Sequence, residues 1–290
     1  MKKIILSTFL ILATSLYHMC IGQGTTKIKG NKIIDTKSIE ISDFRILEVE
    51  DKFEIILVQK PTPSVYIEAD SNLLDYIDVK VEAEKLSIKA THIFKKFKKL
   101  TVEVGYVSDL SKIIARGRAS VRSEGNIQVE RLAIEAYENA VINLTTKTDR
   151  ADILAKDNVR ITCEISAASI GIHSNDSSKI EANIVSENLN IAQNQQSKLE
   201  IQGTTTKNTL FLLDSCNFYG TNLISKNTAL TIEGKSYAYV NATDKVELKI
   251  SGESEVSLLS NPLIDLLKFE DEATLKKTNK APSSFKRLFE

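Results

Sequence analysis

The sequence has little of what most enzymes and metalloproteins use for their chemistry. It has no tryptophan, and only three histidines and three cysteines among 290 residues, so a metal centre or an activated nucleophile is hard to build. Lys+Arg and Asp+Glu both number 38, and the chain therefore lacks the basic excess typical of nucleic-acid binders. No glycine-rich phosphate loop, His-Glu-x-x-His or Gly-x-Ser-x-Gly motif occurs. We expect no catalytic residue, no metal or other cofactor, and no nucleic-acid partner.

The N-terminus has the layout of a secretory signal peptide. Two lysines precede an apolar run over residues 4–16, and the first acidic residue is Asp35. This run is too short to span a bilayer, so no transmembrane segment is expected. Small residues before position 23 predict a signal peptide over 1–22 and export to the periplasm, the cell envelope or the exterior. Met19 stands directly before Cys20, which argues against a lipid anchor on that cysteine.

From residue 111 onward, a pattern of apolar and turn residues repeats about every twenty residues. Apolar residues occupy offsets 0 and 2, a small residue offset 4, a polar turn offsets 5 to 7, and apolar or small residues offsets 8, 10 and often 12. The apolar residues alternate in twos, as in strands. A fixed period of this length predicts stacked coils that bury one continuous core. The predicted units start at residues 111, 132, 151, 170, 189, 210, 230 and 248.

The fold class that follows is all-β: a single-chain parallel β-helix solenoid of about eight coils with an irregular N-terminal β cap. Ten apolar residues are expected to point into its core: Leu132, Ile134, Ile142, Ile172, Ile180, Ile191, Leu199, Ile232, Val240 and Ile250. After the signal peptide, the predicted segments are a leader over 23–43, the cap over 44–110, the coils over 111–275 and a polar tail over 276–290.

Three stretches of the sequence resemble the putative auto-transporter adhesin head, or GIN, domain family of Bacteroidetes-like envelope and secreted proteins. They are Phe44-Arg45-Ile46-Leu47-Glu48-Val49, then Val65-Tyr66-Ile67-Glu68-Ala69-Asp70-Ser71-Asn72-Leu73-Leu74, and Ile250-Ser251-Gly252 with Asn261-Pro262. The resemblance covers nearly everything from 44 to 275. It implies an exported β-helix with right-handed coils and carries no catalytic motif.

Two cysteines fall within the coils. Cys163 and Cys216 are three coil spacings apart in the predicted register, about 14 Å at the usual distance between strands. A disulfide needs Cα atoms within about 7 Å, so two free thiols are predicted, one buried and one in a turn. Pairing between molecules through Cys216 is the alternative.

A dense basic run lies in the predicted cap. Residues 92–99 interleave two phenylalanines with Lys95, Lys96, Lys98 and Lys99. Such a segment is suited to anionic lipid or acidic glycan. The alternative is a solvated hairpin whose phenylalanines pack on the cap.

Offset 9 of the repeat predicts a straight outward ladder, because the same offset in successive coils stacks along a solenoid. Glu181 and Glu200 stand at the next outward position, beside its lysines. The ladder is either ordinary solvated surface or a face on which cations meet the acidic groups of a glycan and tyrosines meet its sugar rings. Its predicted members are Arg160, Lys179, Lys198, Tyr219 and Tyr239.

A second outward feature is apolar. Alternation in twos places Phe211 and Leu213 outward on one strand, and exposed apolar pairs tend to mark interfaces. The pair is a candidate interface for a homo-oligomer. Alternatively, a capping loop or the segment 262–267 folds over it.

Together these features predict an exported, non-catalytic interaction module: an adhesin-like envelope or surface protein that binds a glycan or protein partner along a solenoid face. One alternative is an enzyme, a polysaccharide lyase or hydrolase, by analogy with other β-helices. The other is a structural subunit that binds only copies of itself.

Overall fold

The computed structural model describes residues 26–279 as 21 strands and one 3-10 helix, Ser71–Tyr76. The predicted signal peptide, Cys20 and the tail beyond residue 279 lie outside the described residues. The N-terminal strands are β1 (Lys27–Lys29), β2 (Ile34–Glu40), β3 (Ile46–Val49), β4 (Glu54–Gln59), β5 (Ser64–Asp70), β6 (Ile77–Glu82), β7 (Lys85–Ala90), β8 (Ile93–Lys95) and β9 (Leu100–Tyr106).

The rest of the described chain is a parallel β-solenoid of about nine turns, which confirms the predicted fold class. Each strand pairs with residues about nineteen to twenty positions away, as when Ile142 aligns with Ile161. Its strands are β10 (Lys112–Ala115), β11 (Ser120–Gln128), β12 (Arg131–Ala136), β13 (Val141–Ala155), β14 (Arg160–Ser174), β15 (Lys179–Gln193), β16 (Lys198–Leu212), β17 (Asn217–Ile232), β18 (Tyr237–Ile250), β19 (Glu255–Leu258), β20 (Leu263–Phe269) and β21 (Thr274–Lys277).

The core lies inside the coils, and the alternation in twos determines which residues fill it. All ten side chains predicted to point inward are buried, with at most 1% of their surface exposed. They belong to one hydrophobic cluster that continues without a break into the N-terminal strands. Burial of this kind contributes about 25 cal/mol for each Å² of apolar surface removed from water. A single coil has no inner partner, so stacking is what stabilises it.

The turns between strands repeat one backbone conformation. Successive coils place Asp157, Asp176, Gln195, Asp214 and Gly234 at positive φ, between 58° and 81°. Aspartate and glycine tolerate this left-handed region better than most residues. The carboxylate of Asp176 also accepts a hydrogen bond from the backbone N–H of Asp157, at 3.3 Å. The polar turns of the repeat are therefore explained by backbone geometry.

The N-terminal region continues the solenoid by an out-of-order path. Strand β3 lies between β10 and β7, and β4 lies between β11 and β9, all in parallel. Antiparallel strands follow beyond them: β6 pairs with β7, β5 with β9, and β2 with β5. The predicted leader thus contains β1 and β2. At the other end, β21 includes the first two residues of the predicted tail.

The predicted coil starts at 210, 230 and 248 are wrong by two residues. The register aligns Leu189 with Asn208, Thr228 and Val246. Asn208 and Thr228 are polar, yet they are buried at this inward position. The apolar pattern therefore placed the start at Leu210, which is in fact offset 2.

Candidate functional site

The five residues of the predicted ladder form parts of two neighbouring ladders. Arg160, Lys179 and Lys198 stand in register on successive coils. The next two positions in that line are Asn217 and Tyr237. The single line of five is therefore wrong, because the coil starts after Gln193 are displaced by two residues. We call Arg160, Lys179 and Lys198 the cation ladder.

The tyrosines of the prediction belong to the second line. Glu181, Glu200, Tyr219 and Tyr239 stand in register on four successive coils. This line lies two residues further along each strand than the cation ladder, on the same outer face. We call these four residues the Glu–Tyr ladder. The structure thus places all five predicted residues and both glutamates on one face, but in two adjacent lines and not in the single predicted line.

The two glutamates are adjacent and partly withdrawn from water. Burial, and then repulsion from Glu200, raises the pKa of Glu181, whereas Lys198 lowers it. Burial likewise raises the pKa of Glu200, and the positive charge of Lys198 lowers it by less. Burial and the like charge of Lys179 lower the pKa of Lys198. Each of these groups is therefore held where its charged form is less stable than in water.

A shallow cavity of about 220 Å³ opens over the glutamates. Sequence reasoning missed the polar residues that line its other side, Glu164, Asn183 and Gln202. They form the next outward line of the same strands, so the alternation that located Glu181 and Glu200 also predicts their position. Carboxylates and amides of this kind bind hydroxyl and amino groups.

The tyrosines are packed against their neighbours. The rings of Tyr219 and Tyr239 stack with centroids 5.7 Å apart and planes 13° apart. The Lys198 ammonium lies 5.4 Å from the centroid of the Tyr219 ring. This contact joins the cation ladder to the Glu–Tyr ladder. The Tyr219 ring is already engaged by two side chains, so the predicted contact of its face with a sugar ring is restricted.

The basic run forms part of a small separate sheet. Strands β1 and β8 pair in parallel, with Lys29 opposite Lys95. Phe94 is buried, and Phe97 packs against the core, as the hairpin alternative predicts. Of the four predicted lysines, Lys95, Lys96 and Lys98 are exposed and Lys99 is half-buried. The Lys99 ammonium lies 3.4 Å from Glu68.

A buried carboxylate fixes this basic segment. Asp70 is inaccessible to solvent and accepts backbone N–H bonds from Lys32, Lys98 and Lys99 at 2.7 to 3.0 Å. Burial raises the pKa of Asp70, but these donors outweigh it and leave the pKa below its usual value. Gly30 packs so closely that an added Cβ would lie 2.2 Å from Asp70 Oδ2. The lysine segment is therefore held by a rigid anchor.

Cys163 and Cys216 are both free thiols and both buried. Cys216 is fully inaccessible to solvent, with Sγ 3.0 Å from the Leu213 carbonyl oxygen. Cys216 lies in the turn between β16 and β17, as predicted, but the turn is buried, so pairing between molecules through Cys216 has no accessible sulfur. Burial raises the pKa of Cys163 to about 12, so this thiol is a poor nucleophile.

The apolar pair is exposed as predicted. Phe211 is 50% exposed and Leu213 is 39% exposed. The segment 262–267 does not fold over them, because β20 pairs edge to edge with β18 and extends the sheet. In the described part of the chain, no group of three or more His, Cys, Asp or Glu side chains has the geometry of a metal site.

These stacked parallel coils, with side chains repeated in register on their outer faces, define the chain as a parallel β-solenoid. A family model described as "Putative auto-transporter adhesin, head GIN domain" matches residues 43–162 and again residues 151–262. Together the two matches span most of the sequence, and the chain belongs to this family. The resemblance noted in the sequence is confirmed.

Solved structures share the fold. A putative adhesin from Parabacteroides distasonis is 17% identical, with a TM-score of 0.62 over 87% of this chain and 100% of that one. A putative lipid binding protein from the same species is 19% identical, with a TM-score of 0.62 and the same coverage. A putative adhesin from Parabacteroides merdae is 17% identical, with a TM-score of 0.55 over 87% and 99%. No curated protein matches the sequence. Within residues 26–279, no helix is long and apolar enough to cross a membrane.

Proposed function

We propose that this chain is an exported, non-catalytic, adhesin-like module that binds an acidic glycan along the face formed by its two ladders. The observation that carries the proposal is the pair of glutamates beside Lys179 and Lys198, at a place where the charged forms of Glu181, Glu200 and Lys198 are disfavoured. Exposed ion pairs contribute only about 0 to 1 kcal/mol, so fold stability is a weak reason for this cluster. Perturbed ionisable groups gathered in a groove are typical of ligand sites.

The geometry supports an extended ligand. The cations stand on three successive coils and the glutamates on two, about 4.8 Å from coil to coil, so two or three successive units of a polymer meet similar groups. Acidic substituents face the cation ladder, whereas sugar hydroxyls face Glu181, Glu200 and the amides across the cavity. The family description as an adhesin head is consistent with binding at a surface.

A catalytic role is the second candidate, and one observation favours it. Glu181 and Glu200 are adjacent carboxyls with raised pKa values over a cavity. Retaining glycosidases use two carboxyl groups about 5 Å apart, one protonated and one charged. Burial raises the pKa of both Glu181 and Glu200, whereas this mechanism needs one carboxyl to stay charged while the other is protonated. The surroundings of the two glutamates do not divide the two roles in this way. We therefore favour binding.

A glycan array combined with a reducing-end assay tests the proposal. Binding of acidic glycans without new reducing ends supports the binding module. Turnover that is lost in Glu181→Gln or Glu200→Gln would assign the site to an enzyme. Binding of neither acidic glycans nor any other glycan on the array would contradict the proposal and favour a protein partner or self-association.

A further inference from the structure

The C-terminal end of the solenoid is an open sheet edge. Within residues 26–279, β20 pairs only with β18, and β21 only with β19. Their outer edges therefore present unpaired N–H and C=O groups. At the other end, the antiparallel strands β5 and β6 cover the last parallel strands. A bare edge is a template for another strand.

This end also exposes the core. Ile264, Leu266 and Phe269 continue the inward lines of residues that are fully buried in the preceding coil. Each of the three is nevertheless 46% or 47% exposed. Leu263 and Leu267 on the same strand are 69% and 54% exposed. Five of the seven residues of β20 are thus large, apolar and exposed, more than on any other described strand, and such a surface tends to mark an interface.

The positions of the two charged residues on β20 favour pairing with a second copy of the same strand. Its only charged residues, Asp265 and Lys268, are three positions apart. If two copies of β20 pair antiparallel about a two-fold axis between Leu266 and Leu267, Asp265 of each copy faces Lys268 of the other. Leu267 is an extra residue opposite the Leu248–Lys249 step of β18, and this irregularity puts Ile264 and Phe269 on the inner face of β20 and Asp265 and Lys268 on the outer face. The same register therefore places Ile264 opposite Phe269, so the inward residues also meet. The strand is therefore complementary to itself in charge and in face.

Contacts within the chain leave room for these pairs. Lys268 stands in register with Lys249 on the preceding coil, and its ammonium lies 3.1 Å from the Glu270 carboxylate of the same chain. In such a dimer, Asp265 of the second copy adds a carboxylate on the open side of Lys268. The Asp265 carboxylate lies 3.4 Å from the Lys245 ammonium, toward the preceding coil, so its outer side faces the edge. Strand β21 carries Lys276 and Lys277, and lysines on an edge strand oppose pairing. Of the two strands at the C-terminal end, β20 is thus the one suited to pairing with a second copy.

We propose that the chain forms a two-fold dimer through its C-terminal end, with β20 paired antiparallel to β20 of a second copy in this register. The pairing satisfies the open edge, covers the exposed core residues and forms two ion pairs between the copies. It would join two solenoids end to end and leave the face formed by the two ladders free on each. The inference does not depend on the proposed glycan binding.

Light scattering and sedimentation equilibrium on the full chain test this proposal through a charge swap. The wild type is expected to dimerise with increasing concentration. Asp265→Lys and Lys268→Asp each create two contacts between like charges across the two-fold axis. We therefore expect either variant to raise the dissociation constant of the dimer about tenfold or more. The double variant Asp265→Lys with Lys268→Asp restores opposite charges and is expected to restore the dimer. Equal unfolding midpoints would show that the variants still fold.

Three results would overturn the proposal. A wild type that stays monomeric at every concentration excludes the interface. A dimer that neither single variant weakens, or that the double variant fails to restore, excludes this register. A monomer that dimerises only after residues 280–290 are removed would show that the chain's own C-terminal segment covers the end.

Discussion

Glu181 and Glu200 stand in register on adjacent coils of the solenoid, and the pKa of each is raised by burial. A carboxyl whose pKa in the folded state lies above its unfolded value of about 4.3 destabilises the fold while it is charged. This cost is fully present above the folded pKa and disappears as the pH falls below the unfolded value. The face formed by the two ladders is therefore expected to cost stability at neutral pH.

The first prediction follows from that cost. Glu181→Gln, which removes the charge and keeps the shape, should raise the melting temperature at pH 7. The gain should vanish below about pH 4, where both carboxyls are protonated in the wild type. Glu124→Gln, at an exposed position outside both ladders, serves as the control and should change little. Equal or lower stability of Glu181→Gln at pH 7 would contradict the raised pKa.

The second prediction concerns the core. Ile172 is fully buried, and Ile172→Ala should lower the free energy of unfolding by about 2 to 5 kcal/mol, because it leaves a cavity that stacked coils cannot close. Denaturant unfolding measures the change. Lys226→Ala on the surface should stay within about 0.5 kcal/mol of the wild type. A loss below about 1 kcal/mol for Ile172→Ala would place this residue outside the core.

The third prediction concerns the turns. Gly234 has a φ of 81°, and an added Cβ would lie 2.3 Å from the Asp214 carbonyl oxygen of the previous coil. Gly234→Ala should therefore destabilise the protein by more than about 1 kcal/mol. Gln195→Gly, at the equivalent turn with a φ of 62°, should stay within about 1 kcal/mol of the wild type, because glycine tolerates this conformation. Thermal unfolding compares the two, and equal effects would contradict the close stacking of the turns.

The fourth prediction concerns the anchor of the basic segment. Asp70→Asn replaces the carboxylate that accepts three backbone N–H bonds with an amide that has only one acceptor oxygen. The substitution should lower the free energy of unfolding by about 1 to 3 kcal/mol at pH 7. The pKa of Asp70 is lowered, so its contribution is complete above about pH 4 and is lost as the pH falls through the folded pKa. The gap between wild type and variant should therefore narrow in acid. Hydrogen exchange at Lys98 and Lys99 should accelerate in the variant, and unchanged protection there would argue against the anchor.

The fifth prediction concerns the thiols. In a Cys20→Ser background, Cys163 and Cys216 should not react with a thiol reagent at pH 8 until the protein unfolds, because both are buried. Two thiols should then titrate. Reaction of the folded protein at Cys216 would show that the turn is open.

The fold could be predicted because inward residues alternate along every strand and recur at a nearly constant spacing. The N-terminal region could not be placed in this way, since β3 joins β7 and β10 in space rather than its neighbours in sequence. Pairing of this kind leaves no fixed period to detect.

The order of residues on the candidate face depended on a register that apolar patterning alone does not fix. Asn208 and Thr228 are polar but buried, so the apolar pattern began two residues too late in these coils. An error of two residues leaves each side chain on the correct face of its strand but assigns it to the wrong ladder. The outward direction of Lys198 and Tyr219 was therefore predictable, but their alignment was not. The pKa shifts depend on burial between coils and could not be predicted from the sequence.

Binding of an anionic polysaccharide by matched lysine variants tests the central claim most directly. Isothermal titration with heparin or polygalacturonate compares the wild type, Lys179→Ala with Lys198→Ala, and the control Lys147→Ala with Lys226→Ala, whose lysines lie outside both ladders. The account predicts that the first pair weakens binding about tenfold or more at low salt, that this difference shrinks as salt is added, and that the control binds like the wild type. Equal binding by both lysine pairs would show that the face formed by the two ladders is ordinary surface.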